Sequence, residues 1–113
     1  RMDDAEAEAQ RSLELDPDSV AGHNNYGNLL VALGRFAEAE AAYRKAAALE
    51  PDHPAPYYNL ACLASRQGHH REVVPLLLCA VEFDPAYRDE ARHDDDFDAV
   101  RNDEAFRLLV GAE

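Results

Sequence analysis

Residues 20–53, VAGHNNYGNLLVALGRFAEAEAAYRKAAALEPDH, can be written above residues 54–87, PAPYYNLACLASRQGHHREVVPLLLCAVEFDPAY, without a gap. Ala21/Ala55, Asn25/Asn59, Leu29/Leu63, Gly34/Gly68, Glu38/Glu72, Ala46/Ala80 and Pro51/Pro85 are then identical. Several mismatches exchange one apolar residue for another, as at Tyr26/Leu60, Ala39/Val73 and Tyr43/Leu77, so each helix keeps its buried stripe in register. Pro17, Pro51 and Pro85 follow one another at intervals of 34 residues. Each follows an apolar residue and an acid, in Leu15-Asp16, Leu49-Glu50 and Phe83-Asp84. A unit that recurs at this period is a supersecondary repeat, which buries its apolar face against its neighbours rather than alone.

The repeat markers carry local instructions. Gly34 and Gly68 can take the left-handed conformation that ends one helix and reverses the chain, whereas the recurring prolines stop the following helix and stiffen the next connection. Ser19 and either Asp52 or His53 stand where an N-cap is needed, and Pro54 suits a first helical turn. The pattern predicts helices over about 3–15, 20–33, 37–49, 54–67, 71–83, 86–93 and 103–110. Pro75 falls early inside one of them and should delay or kink its start. The rich supply of Ala, Leu, Glu and Arg favours helix over strand, and the fold class read from the chain is all-α.

At 113 residues the chain has room for one short array and not for two ordinary domains. Twenty-three Asp and Glu against eleven Lys and Arg give a formal charge of -12. That field repels phosphate backbones and anionic headgroups, which argues against nucleic-acid and membrane binding; it serves solubility first and would also speed encounter with a basic partner. Cys62 and Cys79 fall at apolar helical positions with no second pair to suggest a metal knuckle, and they read as buried, reduced thiols. No apolar run has the length of a membrane span and no basic-then-apolar leader opens the chain, so the expected location is cytoplasmic.

The repeat resembles the tetratricopeptide repeat, whose pattern places a large residue, Leu-Gly and Tyr in a first helix, then Ala, an aromatic residue, Ala and a closing Pro in a second. His23, Tyr26-Gly27, Leu30, Ala39, Tyr43, Ala46 and Pro51 take those places in one repeat. Tyr57, Leu60-Ala61, Ala64, Val73, Leu77, Ala80 and Pro85 take them in the next. The resemblance implies a right-handed α-α superhelix across residues 1–113. Residues 3–17 are the second helix of a truncated repeat, 18–51 and 52–85 are full repeats, and 86–113 form a partial repeat with an irregular cap. The opening DDAEAEAQRSLELDP lacks a first-helix partner, so the array is expected to continue upstream or to pair this helix with a second copy. The closing HDDDFDAVRNDEAFRLLV resembles segments that end bacterial arrays of this family. Phe97, Val100, Phe106, Leu109 and Val110 would there cover the last apolar face.

Candidate chemistry is sparse. Asp94, Asp96 and Asp98 alternate like the first ligands of a calcium loop, but Ala99 replaces the turn glycine and Ala105 the bidentate Glu, which leaves a solvated turn capped by Asp96 or Asp98. His69-His70 has no third metal ligand at a usual spacing, and Ser12, Ser19 and Ser65 have no recognisable base. No catalytic residue, metal or cofactor is expected. The resemblance places the interaction surface on the concave face lined by the first helices. Asn24, Asn28 and Val31 would supply it from one repeat, and Tyr58, Cys62, Ser65 and Arg66 from the next, with Asn25 and Asn59 near its edge. Asn can bond both donor and acceptor of an extended peptide, and Tyr offers area at low entropic cost.

Some members of this family grip a C-terminal carboxylate with two Asn plus Lys and Arg. Asn28 and Asn59 match the amides, but Asn24, Tyr87 and Ala91 stand where the cations would be, which argues against that ligand. The expected function is a scaffold that holds a protein or peptide. The alternatives are the regulatory or targeting segment of a larger enzyme and a self-assembly module.

Overall fold

The computed structural model describes residues 2–111; Arg1, Ala112 and Glu113, at the limits of the expected array, lie outside the described residues. The described chain is helical throughout, with no strand. Its elements are α1 (Met2–Leu15), α2 (Val20–Ala32), α3 (Phe36–Leu49), α4 (Pro54–Gln67), α5 (His70–Phe83), α6 (Ala86–His93), a 3-10 segment (Asp95–Val100) and α7 (Glu104–Val110). They fall into two compact units that divide after Asp52.

In the first unit α2 pairs with α3, and α1 lies on α2. Ser19 caps α2, its hydroxyl accepting from the Gly22 N–H at 2.9 Å. Gly34, at φ 77°, supplies the left-handed residue between α2 and α3. The seam of the pair is built from small residues: Ala39 and Ala46 are fully buried, Ala42 nearly so, and Gly27 is buried opposite them. A methyl group at Gly27 would come within 2.5 Å of the Tyr43 ring. That ring is itself pinned, with its hydroxyl donating to Asn28 Oδ1 at 2.6 Å. Polar contacts hold α1 in place: Arg35 reaches Glu6 at 2.6 Å and Glu38 at 2.7 Å, and the Tyr26 hydroxyl takes a hydrogen bond from Gln10 at 3.0 Å.

In the second unit α4 and α5 form the equivalent pair. Pro54 opens α4 at its first turn behind His53, which caps without a side-chain bond, and Gly68 closes it at φ 81°. Leu60, Ala61, Leu63, Ala64, Val73, Leu77, Ala80 and Val81 are buried in this pair. Pro75 does not delay α5, which begins at His70 with Pro75 inside it. Its missing N–H lies in the second turn, where the proline deprives only the Arg71 carbonyl of a partner, and Pro75 is on an exposed flank where water can substitute.

The larger correction is the cap of the turn that follows α6, where Asp95–Val100 form the 3-10 segment with Asp95 and Asp98 exposed. The cap is Asp94, rather than Asp96 or Asp98: its Oδ1 accepts from the Asp96 N–H at 2.9 Å. Asp98 turns instead to Arg101, at 3.1 Å. Phe97, Val100, Phe106 and Val110 are buried, with Leu109 half-buried beside them. The cap expected from the sequence is therefore built.

Gly27 gives a test with opposing terms. Ala has about 1 kcal/mol better helix propensity than Gly, whereas forcing a methyl group into a pinned, filled site costs about 1–3 kcal/mol. Gly27→Ala is expected to lower stability in urea melts, and Gly27→Ala/Tyr43→Leu to recover part of the loss by making room.

Candidate interaction faces of the first helices

On α2 the outward residues are amides. Asn25 and Asn28 are exposed, and Asn24 and Val31 are half-buried. Tyr43 fixes the Asn28 carboxamide by taking its oxygen. This face therefore offers oriented hydrogen-bonding groups, with its apolar side committed to α3. His23 contributes to the backbone instead, its Nε2 lying 2.7 Å from the Pro17 carbonyl.

On α4 the candidates separate into two groups. Asn59 is half-buried and Arg66 exposed. Tyr58 and Cys62 are buried against Asp94 and the 3-10 segment that follows it, and Ser65 is buried as well. Tyr58 is held on three sides. Its hydroxyl donates to Asp94 Oδ2 at 2.7 Å, its ring centroid is 4.7 Å from that of Tyr87, and Phe97 meets it edge-on at 5.7 Å and 77°. Cys62 Sγ lies 3.9 Å from the same Asp94 oxygen. Burial first, then the Asp94 carboxylate, pushes the Tyr58 phenol well above its ordinary range. The same two causes push the Cys62 thiol up and keep it protonated. Burial and the neighbouring Asp94 charge raise Asp96, with Arg66 opposing.

Arg101 locks this arrangement from behind. Its guanidinium donates to the carbonyls of Arg92 at 2.6 Å and Asp94 at 2.5 Å as well as to Asp98. Arg88 and Arg92 each donate to a carbonyl at the end of α7, Leu109 and Val110, both at 3.0 Å. These cations fix helix ends, where their charge meets the negative pole of the backbone dipoles. At the positions where cations would complete a carboxylate grip, Tyr87 stacks on Tyr58 and Ala91 is fully buried. His69 and His70 are exposed at the start of α5. An open depression of about 520 Å³ beside the cap is lined by Ala86, Asp89, Glu90, His93 and Asp94.

The sequence profile of the tetratricopeptide repeat matches residues 18–86, more than half the chain. The chain belongs to the tetratricopeptide repeat family. Among curated proteins it is 37% identical over 71 residues to the protein O-mannosyl-transferase Tmtc2 of Drosophila melanogaster, a match covering 62% of the chain. It is 35% identical over 89 residues, 76% of the chain, to the cytochrome c-type biogenesis protein CycH of Rhizobium meliloti. It is 43% identical over 51 residues, 45% of the chain, to the Hsp70-Hsp90 organizing protein of Triticum aestivum. These matches span 8%, 23% and 9% of the respective relatives, so what is shared is the repeat. Tetratricopeptide repeats are in general protein–protein interaction modules, and the family scaffold is typically non-catalytic. None of the described helices is long and apolar enough to cross a membrane.

Asp94 is the residue that reading the sequence missed. The alternation of Asp94, Asp96 and Asp98 drew notice as a calcium-like spacing, but only contact with α4, thirty-odd positions earlier, gives Asp94 its role. Tyr58→Phe is expected to destabilise the second unit by about 1.5–3 kcal/mol, the range for a hydrogen bond to a charged group. Arg101→Lys should also destabilise it, because one ammonium cannot span two carbonyls and a carboxylate. Chemical denaturation followed by near-ultraviolet circular dichroism of the tyrosine cluster would measure both.

Proposed function

We propose that this chain is a protein-binding scaffold whose first-helix faces, on α2 and α4, hold an extended segment of a partner protein. The observation that carries the reading is the recurrence of Asn25 and Asn59 one repeat apart, at matching positions of two first helices whose apolar sides are consumed by helix pairing. A repeated carboxamide suits a partner backbone, which repeats its own donors and acceptors. Asn24, Asn28 and Arg66 extend the contact, whereas Tyr58 and Cys62 shape it from beneath through the cap. In this reading the two repeats run over 18–51 and 52–85.

A basic partner is favoured by the net charge of -12 and by the depression lined by Asp89, Glu90 and Asp94. Two free cysteines suit a reducing cytoplasmic setting. The second reading, that the repeats serve a larger enzyme, draws on the relatives that carry the repeat inside far longer chains, among them an O-mannosyl-transferase and the TPR repeat-containing thioredoxin TTL4 of Arabidopsis thaliana. Pairing of two copies through α1 draws on Leu15, 84% exposed at its end.

Calorimetric titration with an extended Lys/Arg-rich peptide, beside an acidic peptide of equal length, tests the scaffold reading. The basic peptide is expected to bind more tightly at low salt and to weaken as salt rises. Asn25→Ala/Asn59→Ala should reduce its affinity about tenfold, as expected for one or two lost hydrogen bonds. Unchanged affinity in that variant would place the interface elsewhere. Sequencing the gene on both sides of this segment decides whether an enzyme domain is attached, and light scattering at high concentration decides whether copies pair.

A further inference from the structure

Tyr58, Cys62 and Ser65 stand at i, i+4 and i+7 of α4, a single stripe of that helix, and the first two lie against Asp94 at the head of the 3-10 segment. Cys62 Sγ and one carboxylate oxygen each from Asp94 and Asp96 all lie within 4.8 Å of one another. Ligand atoms around a tetrahedral zinc ion stand roughly 3.3–3.7 Å apart, given bonds of about 2.0–2.3 Å. The 3.9 Å between Sγ and Asp94 Oδ2 is already close to that spacing. Two neighbouring carboxylates beside a buried sulfur form a locally anionic set for which a divalent cation would compensate.

Ser65 is an independent sign that something belongs there. The residue is 3% exposed, and its Oγ has no hydrogen-bond partner among the described residues. A buried hydroxyl left unsatisfied in a folded chain calls for a water or an ion. Ser65 stands one turn beyond Cys62 on the same stripe of α4, the helix against which the 3-10 segment carrying Asp96 packs.

We propose that Cys62, Asp94 and Asp96 bind a divalent cation of borderline softness, of the zinc class, with Ser65 holding the water that completes a tetrahedron. The ion replaces the thiol proton, which leaves to solvent, and the thiolate sulfur and two carboxylate oxygens become its ligands. The sulfur selects against calcium and magnesium, which take oxygen. Tyr58 keeps its hydrogen bond to Asp94 and orients that ligand. The ion thereby ties α4 to the start of the 3-10 segment, so binding stabilises the second unit.

The test uses the full chain, reduced and stripped of metal with a chelator, titrated with Co²⁺. A near-ultraviolet thiolate-to-cobalt band that saturates at one equivalent and is displaced by Zn²⁺ is expected, with a rise in Tm. Cys79→Ser should retain the band and Cys62→Ser abolish it. Asp96→Asn should weaken binding about 100-fold and Ser65→Ala about tenfold, with circular dichroism reporting the fold of each variant. Absence of the band in the unaltered chain overturns the proposal whatever the variants do. A band that survives Cys62→Ser, or is lost only in Cys79→Ser, overturns it as well.

Discussion

Two helices close on each other to the depth of a shared core only where the side chains between them are small, and this chain depends on that condition being met once per repeat. Gly27 and Ala61 occupy equivalent positions of α2 and α4, and Ala39, Ala46 and Ala80 are fully buried on the helices paired with them, α3 and α5. The Tyr43 ring fills the space over Gly27 in the first unit, and Leu77, at the matching position of α5, is buried in the same cluster as Ala61 in the second. Once each pair is closed, its outer surfaces are free to be polar.

A stacked repeat carries a cost at its end, where the last first helix has no successor to cover it. Here the 3-10 segment packs on α4 and covers it. Phe97 inserts against Tyr58 and Phe106, and Arg101 satisfies carbonyls that an interrupted helix would leave unpaired. One carboxylate, Asp94, joins the two parts by accepting from the Tyr58 hydroxyl and from its own turn. An acid suits this place because it accepts several hydrogen bonds at once.

The same cap redistributes the surface available for recognition. It withdraws Tyr58 and Cys62 from solvent and leaves Asn59 and Arg66 closer to it, while α2 keeps its row of amides. Tyr87 and Ala91, where a carboxylate grip would need cations, are spent on packing here. Acidic residues gathered on α6 give the surface its character beside the cap.

The fold was legible in the sequence because the repeat is a one-dimensional signal. Spacing of Pro17, Pro51 and Pro85, the glycines at φ 77° and 81°, and small residues at fixed offsets specify helix ends and seams through local stereochemistry, which neighbours in the chain decide. The Ser19 cap and Pro54 start belong to the same class. The environment of the candidate site was not legible to that extent. That Asp94 and not Asp96 caps the closing turn, that Tyr58 and Cys62 lie under it, and that α5 tolerates Pro75 in its second turn all follow from contacts between residues far apart in the chain or from which flank of a helix meets water. Local sequence sets where helices start and stop; only their packing decides which polar groups are brought to share one carboxylate.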